Sequence, residues 1–188
     1  MEASVTLQLL LDAHRLKCVP RTGWVMRGVA SAESVADHSF GVAFISLVLS
    51  ELVDQPLDKA KLLTMALLHD LPESVISDLP TPAVTHFPPE AKQKAEEEIL
   101  ANLLSRLPHC AEQWYTWWQE FERGTSAEGQ LVRDADRLDM LIQAYIYEQT
   151  LGNRWLGEFW LQTENLPFEF AAARALCEEL LTLRKRHG

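Results

Sequence analysis

Cysteine is scarce in this chain of 188 residues, and the three that are present lie far apart. Cys18, Cys110 and Cys177 form no CxxC pair, and an odd number of cysteines cannot be paired off completely. Disulfide-built folds use closely spaced, even-numbered cysteines in oxidising compartments. We therefore expect a fold that depends on its own hydrophobic core, and a reducing, cytoplasmic location.

Long apolar runs and an excess of positive charge are also missing. The longest apolar stretch, near residues 40–53, is too short and too interrupted to span a bilayer. The amino terminus has an acidic residue at position 2 and no A-x-A pattern, so a signal peptide is not expected. The formal net charge is −10, whereas nucleic-acid binding relies on cations that neutralise phosphates. We expect neither a membrane nor a nucleic acid polymer as a partner.

Strand patterns are absent as well, because no segment alternates regularly between apolar and polar residues. Apolar residues instead recur at three- and four-residue spacing along most of the chain. The pattern predicts an all-α fold, a single compact helical bundle over residues 1–188, with its core at about 33–150 and C-terminal helices at about 154–186. Helices are predicted over residues 3–17, 33–53, 58–71, 88–107, 110–122, 127–151, 154–163 and 167–185.

The stretch LLHDLPESVISDLPTP, residues 67–82, places a histidine, three acids and three prolines directly after a segment built to be buried. Adjacent helical residues point about 100° apart, but at a helix end His69 and Asp70 can both reach one ion. Glu73 follows His69 by four residues and so lies on the same face, one turn further on. Taken alone, a His-Asp pair is more often an exposed helix end than a site.

Two residues on other predicted helices change that balance. His38 lies inside an otherwise apolar helix, in ESVADHSFGVAFI, and Asp136 lies beside the apolar stripe of LVRDADRLDMLIQAYIYE. The plain alternatives are a satisfied core histidine and a solvated acid among Asp134, Asp136 and Asp139. Buried charges are costly unless they are paired or bound to a metal. Imidazole and carboxylate groups on three helices favour a metal centre for Mn, Co, Fe or Zn, with Mg less favoured.

A basic island interrupts this acidic chain over residues 14–27. It contains no acid, and its basic residues are His14, Arg15, Lys17, Arg21 and Arg27. Arginine suits phosphate binding because its planar fork can make two hydrogen bonds to one anion. The island is either a phosphate-binding loop or a solvated face whose cations offset the dipole of the first helix.

In order and spacing, the segments RTGWVMRG, ESVADHS, LLHDLPESVISDLPTP and SAEGQLVRDADRLDMLIQAYIYE resemble the HD-domain metal-dependent phosphohydrolases. Within that superfamily they most resemble the 5′-deoxynucleotidase (YfbR-like) family, from about residue 8 to about residue 150. The resemblance implies an HD-domain helical bundle and a homodimer. It also implies a metal-dependent phosphomonoesterase that converts deoxyribonucleoside 5′-monophosphates to nucleoside and phosphate.

The resemblance implies a metal centre with four protein ligands. The ion would be one divalent metal, Co, Mn, Mg, Fe or Zn, which lies within the core region at about 33–150. The ligand positions that match are His38, His69, Asp70 and Asp136.

The resemblance also implies catalytic and substrate-binding residues. Glu73 and Asp78 match catalytic carboxylates, and either one could protonate the leaving sugar oxygen. Arg21 and Trp24 match a pair that contacts phosphate and base, although two residues separate them here and none does in the bacterial relatives. Arg27 could share the phosphate role.

Two other functions stay open. The same centre could act on a different phosphoester, such as a cyclic nucleotide or a phosphometabolite, or the protein could be a non-catalytic nucleotide sensor. The intact set of histidines and acids favours an enzyme over a sensor. Trp114, Trp117 and Trp118 lie at helical spacing with other aromatics, which is typical of a core or a subunit interface.

Overall fold

Residues 3–165 and 168–187 are described by the structure, a computed structural model. Within these ranges the chain is all-helical and forms one compact domain, which confirms the expected fold class. The helices are α1 Ala3–His14, α2 Thr22–Val25, α3 Val35–Ser50, α4 Lys59–Leu68, α5 Glu73–Ile76, α6 Thr81–Val84, α7 Ala91–Leu104, α8 Ala111–Arg123, α9 Ala127–Leu151, α10 Gly157–Asn165 and α11 Ala171–His187. No helix in these ranges has the length and apolar character needed to cross a membrane.

The predicted helices match the eight longer ones, and the differences lie at their ends. Helix α4 ends at Leu68 rather than at 71, and α7 begins at Ala91 rather than at 88. The regions predicted as loops contain the short helices α2, α5 and α6, each of four residues, which are too short to show a periodic pattern. The predicted start of the last helix, residue 167, lies outside the described residues.

Side-chain caps start two of the helices that carry the site. Ser34 caps α3, and a capping box is completed by Asp37, whose carboxylate accepts from the Ser34 backbone N–H at 2.9 Å. The helix therefore begins two residues later than the sequence predicts, and Glu33 is left outside it. Asp58 caps α4 by accepting from the backbone N–H groups of Ala60 and Lys61.

Helix α9 is the central element of the core. It packs against α3, α4, α8, α10 and α11, and α3 runs antiparallel to it, because Glu33 meets Tyr147 and His38 meets Asp139. A second apolar cluster lies between α1, α7 and α8 and contains Trp118, which is 1 % exposed. The tryptophan-rich helix α8 is thus part of the core rather than an exposed stacking surface.

Helices α8 and α9 are in close contact at Gly129. A Cβ at this position would lie 2.8 Å from the carbonyl oxygen of Glu120 and 3.1 Å from the Cα of Phe121. Both atoms belong to the backbone of α8 and cannot rotate away. The approach allows Phe121 to reach the imidazole of His69, with 5.5 Å between the ring centroids.

We predict that Gly129→Ala destabilises the protein although alanine favours helix. Overpacking against a backbone costs about 1–3 kcal/mol, which corresponds to a Tm lower by roughly 2–12 °C. Gly157→Ala is the matched control, because no heavy atom lies within 4 Å of its Cβ position. Thermal unfolding followed by circular dichroism checks this, and equal Tm values for the two variants would contradict it.

Candidate metal centre and active site

Two buried imidazoles face each other at the junction of α3 and α4. His38 is 1 % exposed and His69 is 5 % exposed, and their Nε2 atoms lie 3.3 Å apart. His69 donates from Nδ1 to the carbonyl oxygen of Ala66 at 2.8 Å, and His38 donates from Nδ1 to Asp139 Oδ2 at 2.7 Å. Because each Nδ1 donates to an oxygen, Nε2 is the atom that each imidazole can offer to a metal once it is deprotonated.

Two carboxylates converge on the same point. Asp70 Oδ2 lies 3.2 Å from His69 Nε2 and 3.7 Å from His38 Nε2. Asp136 Oδ1, from α9, lies 3.2 Å from His38 Nε2, and the ligand atoms of His38, His69 and Asp136 all lie within 4.8 Å of one another. Donors that come from three separate helical elements and meet at this spacing fit a divalent ion with mixed nitrogen and oxygen ligands.

The electrostatics of the cluster demand a positive charge. Burial favours the neutral acid of Asp70, but His69 and Arg21 hold the pKa of that carboxyl well below its usual range. Burial and Arg21 disfavour a charged His38, yet hydrogen bonds to Asp136 and Asp139 raise the pKa of that imidazole to about 10. The negative carboxylates thus keep the histidines protonated. A divalent metal would supply the positive charge in place of those protons.

Asp139 orients His38, although its position in the sequence does not distinguish it from the neighbouring acids Asp134 and Asp136. Its carboxylate reaches His38 across α3 at Gly41, where a Cβ would lie 1.9 Å from Asp139 Oδ1. Glycine is therefore required at position 41 for this contact. The signal in the sequence is the glycine three residues after His38, but its partner is 98 positions away and cannot be read from spacing.

The two predicted catalytic carboxylates lie on either side of a strained residue. Glu73 is 4 % exposed, and its Oε2 has no hydrogen-bond partner among the described residues. Burial, and then the charges of Asp70 and Asp78, raise the pKa of Glu73 to about 9. Ser77 has a φ of 63°, a conformation that costs a non-glycine residue about 1–3 kcal/mol and is found at functional sites.

Asp78 fastens the proline-rich segment to the loop that carries Arg21. Its Oδ2 accepts from the backbone N–H of Thr22 at 2.6 Å, and its carbonyl accepts from Thr22 Oγ1 at 2.8 Å. Arg21 Nη1 lies 3.2 Å from Asp70 Oδ2, so this guanidinium is directed at the metal centre. The structure therefore brings Arg21, Glu73 and Asp78 together with the four predicted ligands.

Trp24 and Arg27 occupy different surroundings. Trp24 is 2 % exposed, donates from Nε1 to Glu33 at 2.8 Å and packs against Phe159. Arg27 is paired with Glu158 and lies over the Phe159 ring, 4.6 Å from its centroid. Both line a cavity of about 360 Å³, and Arg21 lines it as well. The other walls of this cavity are Gly23, residues 78–82, Met140 and residues 158–159. This volume is within the range of small-molecule sites.

The all-helical bundle thus holds a buried cluster of histidines and an aspartate that could bind a metal ion. The sequence profile of the HD domain matches residues 13–164. The chain therefore belongs to the HD domain family.

Named relatives and a solved structure agree with this family. The chain is 39 % identical to the Bos taurus protein named 5′-deoxynucleotidase HDDC2 over 143 residues, 76 % of this chain and 67 % of that protein. It is 33 % identical to the Danio rerio protein of the same name over 183 residues, 96 % of this chain and 88 % of the relative. A conserved hypothetical protein from Pyrococcus furiosus superimposes with a TM-score of 0.79 at 40 % identity, covering 95 % of this chain and 99 % of that one.

We predict that Asp139→Asn weakens metal binding by about 10- to 100-fold, the usual effect of removing a carboxylate that orients a ligating histidine. The substitution keeps the size of the side chain and removes the charge that fixes Nδ1 of His38 as the donor. Competition with a metal-sensitive dye, using Co²⁺ or Zn²⁺ on stripped protein, measures the change. Asp54→Asn, at an exposed position, is the control, and equal affinities for both variants would count against this role.

Proposed function

We propose that this protein is a metal-dependent phosphomonoesterase that hydrolyses deoxyribonucleoside 5′-monophosphates to nucleoside and phosphate. The observation that carries the proposal is a buried His–Asp cluster whose Asp70 contacts the guanidinium of Arg21, a residue that also lines the cavity of about 360 Å³. The buried Glu73, whose Oε2 has no hydrogen-bond partner among the described residues, follows Asp70 by three residues. The relatives named 5′-deoxynucleotidase support the choice of substrate.

Four residues would hold the ion. In this proposal His38, His69, Asp70 and Asp136 bind one divalent metal, and their contacts suit Co, Mn, Fe, Zn or Mg. When bound, the metal offsets charge on the phosphoryl oxygens and lowers the pKa of a water molecule. Asp136 keeps 36 % of its side chain exposed, so the centre is open on the side of α9.

Arg21 orients the phosphoryl group in this proposal. Its guanidinium is held beside the metal centre by Asp70 and keeps further N–H groups that can donate to phosphate oxygens. Both side chains of the pair are 19 % exposed, so an anion can approach them from the cavity. Arg27, paired with Glu158 at the other end of the cavity, would act on the substrate through the shape of the wall rather than through a free charge.

Glu73 is the better candidate to protonate the leaving sugar oxygen. An alkoxide leaves poorly unless an acid supplies a proton, and a carboxyl whose pKa is raised to about 9 holds one at neutral pH. Asp78 has a different task here, since its carboxylate already accepts from Thr22 and holds the segment 77–82 against α2. We therefore assign proton donation to Glu73 and positioning of the cavity wall to Asp78.

Phosphate release tests the proposed reaction. Metal-stripped protein receives Co, Mn, Mg, Fe or Zn singly and is assayed with deoxy- and ribonucleoside 5′-monophosphates. We expect metal-dependent release from the deoxy compounds, and a loss of at least about 100-fold in kcat for Glu73→Gln with the metal content unchanged, since general acid catalysis contributes roughly that much.

Three other results would change the proposal. Loss of metal from Glu73→Gln would make Glu73 a ligand instead of an acid. Release from cyclic nucleotides or phosphometabolites alone would replace the substrate class. Binding of nucleotide without turnover under any metal would indicate a sensor.

We further propose a homodimer that pairs through the exposed face of α3. Phe40 and Phe44 are 71 % and 59 % exposed and stack on each other, and Val48 continues the stripe at 41 %. The helix has no charged side chain from Ser39 to Ser50. Aromatic residues are enriched and charges depleted at interface cores, and a two-fold axis pairs the same patch on both subunits.

Light scattering after size exclusion measures the assembly. We expect a mass of twice 21.3 kDa for the wild type, and a monomer for Phe44→Asp because a carboxylate would be buried in the interface. Phe87→Asp is the control, since Phe87 is 49 % exposed on another part of the surface. A dimer that survives Phe44→Asp would place the interface elsewhere.

A cytoplasmic location stays a proposal from the cysteine content, which cell fractionation would check.

A further inference from the structure

Helix α10 contributes Glu158 and Phe159 to the wall of the cavity of about 360 Å³. Neither residue belongs to the motifs that the sequence singles out, and the proposed reaction assigns neither of them a contact with the substrate. The same cavity is lined by Arg21, whose Nη1 lies 3.2 Å from Asp70 Oδ2 in the metal centre. Glu158 and Phe159 therefore border a space that adjoins the metal centre at Arg21.

Phe159 fixes α10 against the segment that follows Arg21. Its side chain is buried, and the ring centroids of Phe159 and Trp24 lie 4.3 Å apart. The guanidinium carbon of Arg27 lies 4.6 Å from the centroid of the Phe159 ring. Protein interiors are close-packed, so a buried ring between two such neighbours has little room to move. The position of Glu158, the preceding residue, is thereby fixed relative to Arg27.

Arg27 is held by both its backbone and its guanidinium. Its carbonyl oxygen accepts from Asn153 Nδ2 at 2.9 Å. Its Nη1 donates to the carbonyl oxygen of Gly23 at 2.7 Å, and its Nε donates to Glu158 Oε1. The charge of Arg27 is thus offset by Glu158, and the two side chains form one fixed pair.

This pair keeps unused hydrogen-bonding capacity. A guanidinium has more N–H groups than the contacts with Gly23 and Glu158 use, and Glu158 Oε2 accepts from no described residue. The Glu158 side chain is 54 % exposed, so a ligand can reach it. The hydrogen bond from Arg27 lowers the pKa of the Glu158 carboxyl, which is therefore an acceptor at neutral pH. The pair offers a donor next to an acceptor, with its charges offset.

The other ionisable side chains of the cavity wall already have partners. Arg21 contacts Asp70, and Asp78 accepts from the backbone N–H of Thr22. Binding sites for small molecules are mostly apolar, with a few polar groups that fix the orientation of the ligand. The apolar residues of this wall are Leu79, Pro80, Pro82, Met140 and Phe159. A flat heterocycle with polar atoms along one edge matches such a wall.

We propose that the Arg27–Glu158 pair binds the hydrogen-bonding edge of a nucleobase and makes the protein selective for nucleotides over sugar phosphates that lack a base. Enzymes that bind an unpaired base read its Watson–Crick edge through hydrogen bonds. Each of the four bases carries a donor next to an acceptor on that edge, so a fixed donor and acceptor can hold any of them. The kinetic part of this inference rests on the proposed phosphomonoesterase function, whereas the binding part does not.

The binding test uses thymidine and 2′-deoxycytidine as probes and metal-loaded full-length protein. Isothermal titration gives their Kd values for the wild type, Glu158→Met, Glu158→Gln and Glu179→Met. Glu179 is the matched control, because it is exposed on α11 and does not line the cavity. We expect Glu158→Met to weaken both nucleosides by about 3- to 10-fold, the usual net effect of one hydrogen bond. Glu158→Gln keeps an acceptor and should retain most of the affinity, and Glu179→Met should leave it unchanged.

A kinetic measurement separates base binding from support of the fold. The ratio of kcat/KM for a deoxynucleoside 5′-monophosphate to kcat/KM for 2-deoxyribose 5-phosphate should fall in Glu158→Met by a similar factor. An unchanged ratio together with a lower Tm would show that Glu158 supports the fold only, and would overturn the inference. Equal nucleoside affinities for Glu158→Met and Glu179→Met would overturn it as well, as would a wild type that binds neither nucleoside. If the wild type releases no phosphate from any nucleotide, the proposed function fails, but the nucleoside titration still decides the role of Glu158.

Discussion

The rest of the structure depends on the contact between His38 and His69, whose Nε2 atoms lie 3.3 Å apart. The carboxylates of Asp70 and Asp136 lie beside this contact. When two imidazoles and two carboxylates are buried together, the carboxylates repel each other unless the imidazoles are protonated or a metal cation binds between them. Charged groups at this spacing move apart unless the backbone holds them. The helices that carry them must therefore be fixed to one another.

Rigidity comes from the supports behind each ligand. His69 is held at its ring by the carbonyl of Ala66 and at its own carbonyl by the indole of Trp118. His38 is held by Asp139, which reaches it only because residue 41 lacks a side chain. These supports come from α4, α8 and α9, so three helix contacts must form before the ligand atoms meet. The packing that forms the fold therefore also forms the site.

Much of this arrangement could be predicted from the sequence, and the limits are physical. Hydrophobic periodicity predicted the longer helices, because it repeats many times within each one. It missed the four-residue helices, such as α5 at Glu73–Ile76, which complete only one turn. The full set of ligand positions came from the resemblance to a family. The sequence alone could not tell whether Asp139 or Asp134 contacts a histidine. The structure separates them: Asp139 contacts His38, and Asp134 accepts from the backbone N–H groups of Glu169 and Phe170.

The basic island shows a further limit. Its arginines look equivalent in sequence, yet Arg21 turns to the metal centre and Arg27 is taken up by Glu158, 131 residues away. The pairing of Thr22 with Asp78 joins the loop of Arg21 to the segment of Glu73. Thr22 thus makes the loop of Arg21 and the segment of Glu73 one hydrogen-bonded unit. A displacement of either one would therefore shift the other.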